Sequence, residues 1–471
     1  MSVSANNRPA KAWSLHQEAE VLRRSSGKTH RPARSRIRVS GLCLAVLATI
    51  GTLISGAGST SASAAPSAAK TSSVTITVWD TTPLPQPTMQ SLNAEFMSQN
   101  PGIKIDRVAI PYSTYPAKVL AAIASGTGPD VYQLPAPQWV FQYGNGLLPL
   151  TKYVTPQQRS DLQGWGEVSE GLKATGTPYA LPWQIGGFVF YYNKKLFTKA
   201  GLNPSKPPTT WTQLLKDSAQ LKAHGITPIA AGFQDGYYLQ WFMDIIAGEL
   251  LTPSQDSAFI ESPKWTNNKV LAESIADVKT LYNDGYFTPE STGLGLFTAG
   301  LPSFGSGKAA MVLGLFGPVD YWGDFSKDIG AANLGAFAPP LVPGATFSQP
   351  RLDTKVELGW AISKKSANPS AAYQYISFMT GPAAQSEAFL QTGVLPNITT
   401  AKPVTNNPSG REVLAYWEAG DTYTAPISSA YEASTSSVMW DLATEVLTGG
   451  ESVSGYLSAI QGAQTPMGQI P

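Results

Sequence analysis

Cysteine is almost absent. Cys43 is the only one in 471 residues, and only three histidines accompany it. With one cysteine there is no intrachain disulfide and no cysteine-ligated metal site. Phosphate-cradling glycine loops are absent too: neither GxGxxG nor GxxxxGK[ST] follows any of the strands read below, so a nucleotide site is not expected. A basic surface for nucleic acid is also missing, once the first 64 residues are set aside.

Those 64 residues have the layout of a secretory signal. A basic stretch ending in Arg31, Arg34, Arg36 and Arg38 precedes an apolar run from Gly41 to about Ile54, and Ala62-Ser63-Ala64 offers a cleavage site. The apolar run is short for a membrane helix, which needs roughly 20 residues. Arg23-Arg24 lies far from this run, so general secretory export is expected, with the twin-arginine route as the alternative. Cleavage after Ala64 removes nine Lys/Arg and two Asp/Glu from totals of 33 and 32, leaving 24 cations against 30 anions. A mildly acidic exported chain is a poor match for nucleic acid, whose affinity rests on phosphate neutralisation. Cys43 leaves with the signal and sits near the start of the apolar run, not at its end, so no lipid anchor is expected. The one remaining histidine, His224, excludes histidine-cluster zinc and disfavours a Ser-His-Asp triad. Residues 65–73 read as a flexible leader, and the length beyond them asks for two domains.

From Val74 onward strands and helices alternate. Val74 to Trp79 is β-branched at period two. Met89, Leu92, Phe96 and Met97 have helical spacing, ended by Asn100-Pro101-Gly102. Ile103 to Ile110 and Asp130 to Leu134 are further strands, with a helix from Tyr115 to Ser125 between them. Thr210 caps a helix through Leu221. Ile226 to Ala231, Lys308 to Phe316 and Glu357 to Ser363 are strands, and Asn368-Pro369 opens another helix. The remainder to about Leu447 reads as helical. The alternation predicts an α/β fold with mostly parallel sheets, in which ligands sit beyond the carboxyl ends of the strands. Trp79-Asp80, Gln133, Gly232 to Asp235 and Phe316-Gly317 occupy those ends.

Several stretches, in order, resemble one family: the extracellular solute-binding proteins of ABC importers, in the sugar-binding group that includes maltodextrin-binding protein. They are FMSQNPGIKI (96–105), SGTGPDVYQL (125–134), YALPWQIGGFVFYYNKKLFTKAGL (179–202), PPTTWTQLL (207–215), FGSGKAAMVLGLFG (304–317) and GWAISKKSANPSAAYQYISFMTGPAAQ (359–385). Two departures stand out. Gly314-Leu315-Phe316 occupies the place of a Gly-Pro-Trp or Gly-x-Trp, and Leu134 stands where an aromatic is common, with Trp139 further on.

The resemblance implies a two-lobe periplasmic-binding-protein fold with a ligand cleft between the lobes. The first lobe would be 74–182 plus 356–423, and the second 183–355 plus 424–467. Residues 179–193 become the first crossing, with Trp183 at the cleft floor and Gly186-Gly187 giving the backbone room; the plainer alternative is a core strand whose tryptophan only packs. The expected function is non-enzymatic: carbohydrate binding by a monomer that delivers sugar to ABC permease subunits, without a cofactor or metal. The alternatives are a secreted glycoside hydrolase and a binder of another solute.

Sugar recognition takes aromatic planes for the ring face and carboxylates or amides for the hydroxyls. The candidate ligand-binding residues are therefore Trp183, Asp235, Trp360, Phe316, Trp241, Asp80, Gln133 and Gln184. Asp235 has helix capping as its alternative role, and Asp80 a turn. Asp130, Trp211, Trp265 and His224 are read as structural.

Overall fold

The computed structural model describes residues 73–81, 86–111, 114–316, 321–424, 427–430 and 433–464. The expected signal, 1–64, and nearly all of the leader lie outside them.

The first strand, β1 (Val74–Asp80), buries Ile76, Val78 and Asp80 while its threonines face outward, as period two requires. It lies between β2 (Ile103–Ala109) and β3 (Val131–Pro135), parallel to both. Asp130 makes the turn into β3: its carboxylate accepts from the Thr77 amide at 3.0 Å and from the Ser366 hydroxyl. The Gln86–Gln99 and Tyr115–Ser125 helices pack Met89, Leu92, Phe96 and Val119 on this sheet. Gly126 closes the second helix in the left-handed region, at φ 68°.

The long strand β4 (Ala180–Asn193) is buried throughout. At about 3.3 Å per residue it reaches about 45 Å, enough to belong to two sheets. Ala180–Phe188 pairs antiparallel with β8 (Leu352–Ile362), and Phe188–Tyr192 pairs antiparallel with β6 (Ala309–Leu315). Between these, β5 (Thr227–Ala230) lies parallel to β6, and β7 (Leu334–Phe337) joins the end of β4. The sheet runs β2-β1-β3-β8-β4-β6-β5, with β9 (Leu395–Pro396) on β4 and β10 (Thr422–Thr424) on β8. Parallel pairing holds for the outer strands. The strands that carry the chain between halves add antiparallel pairs.

Two hydrophobic cores flank the crossing. One gathers Ile76, Val78, Phe96, Tyr132, Trp183, Trp360 and Tyr375. The other gathers Phe188, Phe190, Leu214, Ile229, Phe242, Met311 and Tyr456. The resemblance put 356–423 in the first lobe; within that stretch Phe389, Leu395, Val413 and Leu414 pack in the second core. β8 also starts earlier than the sequence indicated, because Asp353, Thr354 and Lys355 interrupt its apolar pattern.

Trp211 and Trp265 are buried in the second core. His224 ends the Trp211–Ala223 helix, and Thr210 starts it by accepting from the Gln213 amide.

Candidate functional site

Five of the candidates lie on the neighbouring strands β1, β3, β8 and β4. Asp80 ends β1. Its carboxylate is buried and accepts from Arg107, Nη2 to Oδ1 at 2.8 Å and Nε to Oδ2, which holds it as one half of a bidentate pair. Gln133, on β3, accepts at Oε1 from the Thr81 amide and hydroxyl at 3.3 and 3.1 Å, which leaves Nε2 without a partner. Gln133 is registered against Trp360 of β8, and Trp360 against Leu181 of β4. Two residues further along, the Trp183 ring meets the Trp360 ring at 5.2 Å between centroids.

Trp183 is therefore not an open cleft floor. Its indole is fully buried, as is that of Trp360. The β4–β8 register slips on both sides of Gln184, and such slips re-aim side chains. Trp360 passes the packing on to Tyr375, whose hydroxyl donates to Asn93 at 2.9 Å. Both indole Nε1 atoms are buried without a hydrogen-bond partner, as are both amide atoms of Gln184. A buried polar atom left unpaired costs about 1–3 kcal/mol, so this group of Gln133, Trp183, Gln184 and Trp360 offers unused donors and acceptors at the root of the crossing.

Gly187 is fixed by crowding. A Cβ there would come within 1.8 Å of the Asp353 carbonyl oxygen and 2.7 Å of the Phe316 ring. Phe316, just past β6, donates its amide to Gly187 at 3.2 Å and is buried against the crossing. The glycine lets the aromatic of one strand lie on the backbone of another.

The second lobe arranges the remaining candidates differently. Trp241 is not at a strand end; it lies in the Tyr237–Leu250 helix, where it stacks on Phe188 at 5.0 Å and touches Tyr237 at 5.6 Å. Asp235 is not the cap of that helix. Gly236 takes the cap position without side-chain help, and the Asp235 carboxylate instead accepts from the Tyr237 hydroxyl at 3.2 Å and the Leu296 amide at 3.3 Å. Half-buried Phe297 and Trp440 complete an aromatic group around Tyr237, at 5.8 and 6.1 Å. Gly236, at φ +79°, allows the Ala433–Asp441 helix to press on this turn: a Cβ would sit 2.2 Å from the Trp440 carbonyl oxygen.

Residues 80–386 match the family model described as bacterial extracellular solute-binding protein. The chain belongs to that family. It is 24% identical over 302 residues to the sn-glycerol-3-phosphate-binding periplasmic protein UgpB of Yersinia enterocolitica, a match covering 61% of this chain. The chain spans less than two thirds of the length of the curated relatives it matches, 65% in the Yersinia case. Two solved structures share the fold. A probable secreted solute-binding lipoprotein from Streptomyces coelicolor superposes with TM-score 0.70 at 18% identity, covering 83% of this chain and 98% of that one. The cyclic alpha-maltosyl-1,6-maltose binding protein from Arthrobacter globiformis gives 0.66 at 19%, covering 83% and 98%.

In this solute-binding protein an aromatic track links the two halves. It runs from Trp360 to Trp183, along β4 to Phe188, and then through Trp241 to Tyr237, Phe297 and Trp440. Tyr237, Phe297 and Trp440 lie outside the reach of strand-end reasoning, because two belong to α-helices and Phe297 to the π-helical turn Leu296–Gly300. The adjacent Asp235 in AGFQDGYY was the available signal for Tyr237. No helix among the described residues is long and apolar enough to cross a membrane.

Proposed function

We propose that this solute-binding protein captures a mono- or oligosaccharide between two lobes, 74–182 plus 356–423 and 183–355 plus 424–467, and presents it to the permease subunits of an ABC importer. The observation that carries the proposal is the second-lobe wall. A half-buried carboxylate, Asp235, stands among Tyr237, Phe297 and Trp440, two of them partly open. Aromatic planes suit the C–H face of a pyranose, and a carboxylate accepts from paired hydroxyls. The fold shared with the cyclic alpha-maltosyl-1,6-maltose binding protein of Arthrobacter globiformis supports a carbohydrate.

On the opposite side we assign Asp80, Gln133 and Gln184 to the floor, backed from behind by the buried Trp183–Trp360 pair, with Trp241 and Phe316 supporting from the other core. The unpaired amides and indole N–H groups would meet hydroxyls when the lobes close. A solute that touches both faces only in the closed arrangement shifts the equilibrium toward it. The protein is proposed to act as an exported monomer without catalysis, cofactor or lipid anchor.

A thermal-shift panel of maltotriose, raffinose, chitotriose and glycerol 3-phosphate tests this directly. A sugar present at about 100 times its Kd should add roughly 2.7 kcal/mol of stability. Stabilisation by glycerol 3-phosphate alone would replace the sugar with a phosphorylated polyol. Steady release of reducing ends, or turnover of chromogenic glycosides, would replace the binder with a hydrolase.

A further inference from the structure

Between the lobes lies a buried polar junction that solute binding does not explain. The short segment Ile427–Ala430 is fully buried, and Ile427 and Ala430 belong to the second core. Asp244, in the Tyr237–Leu250 helix, grips it. Oδ1 accepts from the Ile427 and Ser428 amides at 2.8 and 3.0 Å, and Oδ2 accepts from the Ser428 hydroxyl at 2.6 Å and from Gln240 at 3.4 Å. From the first lobe, Glu167 accepts from the Ser429 hydroxyl at 2.8 Å and, with its other oxygen, from the Val356 amide of β8 at 2.9 Å. Gln138 donates to the Ser428 carbonyl at 3.2 Å. One four-residue segment is thus held by a buried carboxylate from each side.

Two more carboxylates face this pair. Asp353, on β8 opposite Phe188, is fully buried, and neither of its oxygens has a hydrogen-bond partner. Asp256, in the Pro253–Glu261 helix, lies close enough to sense both Glu167 and Asp244. The other titratable groups around them are Tyr423 on β10, Glu249 on the Tyr237–Leu250 helix, and Lys355 and Glu357 on β8. Lys355 is the cation among these groups, and it pairs with Glu357 at 3.4 Å.

We propose that this junction is a pH-sensitive hinge: with Glu167 protonated it holds the lobes together through Ile427–Ala430, and ionisation of Glu167 sets its charge against that of Asp244 and favours the open arrangement. The hydrogen-bond supply orders the titration. Asp244 has four donors, Glu167 two and Asp353 none. Burial is the leading cause that raises each carboxyl: Asp244 to about 6, Glu167 to about 7, Asp256 to about 8, and Asp353 well above the usual range. Each raised group favours the folded, closed junction fully below its ordinary, unfolded pKa and loses that contribution as pH rises from there through its native pKa. Glu167 therefore ionises around neutrality, when Asp244 is already charged. Gln240 extends the network to the proposed solute wall, accepting from the Trp440 indole at 2.9 Å while donating to the Ser428 hydroxyl at 2.9 Å. That extension rests on the sugar-wall proposal above; the junction itself does not.

The test uses unliganded protein, so failure of the sugar proposal leaves it intact. Small-angle scattering and amide hydrogen exchange are measured at about pH 5.5 and about pH 8.5. The expected result is a larger radius of gyration at the higher pH. After correction for intrinsic exchange, the Val356, Ile427 and Ser428 amides should lose about tenfold in protection, the equivalent of one pKa unit. Glu167→Gln keeps both hydrogen-bonding positions and should flatten both responses. Asp244→Asn removes the charge that Glu167 ionises against, should reduce them in part, and serves if the first variant folds poorly. An unchanged radius and protection in the natural protein, or an undiminished response in a folded Glu167→Gln, would overturn the proposal.

Discussion

The two hydrophobic cores carry the same residue types to different ends. In the first, Trp183 and Trp360 are fully buried against each other, and their polar neighbours are orphaned or, like Asp80, paired to an arginine. In the second, Trp440 and Phe297 are partly open, and Asp235 is held by Tyr237 and the Leu296 amide. A tryptophan thus serves folding in one core and offers surface at the edge of the other. The difference comes from what lies behind each ring: a closed helix-covered sheet for Trp183, and a turn opened by Gly236 for Trp440.

The largest expected effect separates these roles on the first side. Trp183→Ala should cost about 3–5 kcal/mol of folding stability, as loss of a buried tryptophan does. Urea unfolding reads this directly. A loss below about 1 kcal/mol would mean that the Trp183–Trp360 pair is not a core element. Next comes the mirror experiment. Trp440→Ala should leave stability within about 2 kcal/mol yet weaken binding of the sugar found by the panel by roughly 30-fold to 1,000-fold, the effect of an aromatic anchor. Normal affinity by calorimetry would remove Trp440 from the wall.

How far the sequence reached follows the same division. The period-two and helical spacings of residues 74–135 were legible, because β1 has one clear buried face and β3 is a short apolar run buried on both. The capped helices at Thr210 and Pro369 were legible from local chemistry. The start of β8 was not, since Asp353 and Lys355 look like loop residues until β4 and β10 are seen to cover them. The burial of Trp183 depends on a register slip at Gln184 that no spacing reports. Trp440 lies some 200 residues from Asp235, and only the folded chain sets their helices together. Glu167, Asp244 and Asp353 belong to three separate elements, so the junction is invisible to any local pattern.

A smaller effect is expected at Asp235. Asp235→Asn keeps an acceptor for the Tyr237 hydroxyl and the Leu296 amide, so folding should be nearly unchanged. It removes the charge that strengthens a bond to a sugar hydroxyl. Hydrogen bonds to charged groups contribute about 1.5–3 kcal/mol against about 0.5–1.5 kcal/mol for neutral ones, so affinity should fall roughly 5-fold to 15-fold. Equal affinity for the variant and the natural protein would limit Asp235 to holding the turn.

The smallest effect tests whether any polar contact between lobes matters, or only a buried one. Lys173, in the stretch between β3 and β4, reaches Glu261 of the Pro253–Glu261 helix at 3.6 Å, with both side chains substantially exposed. It joins the same two halves as the Glu167–Ser429 bond, but in water. Two long side chains lose rotamer freedom to hold it, and solvent screens the attraction, so exposed pairs of this kind contribute about 0–1 kcal/mol. Lys173→Ala should therefore shift the unfolding midpoint only slightly, and the shift should shrink further in about 1 M salt, where the Debye length falls to about 3 Å. Scattering of the unliganded variant should match that of the natural protein at each pH. If Lys173→Ala opened the lobes as strongly as ionisation of Glu167 is expected to, the closed arrangement would be governed by surface charge, and the buried junction would lose its special place in the comparison.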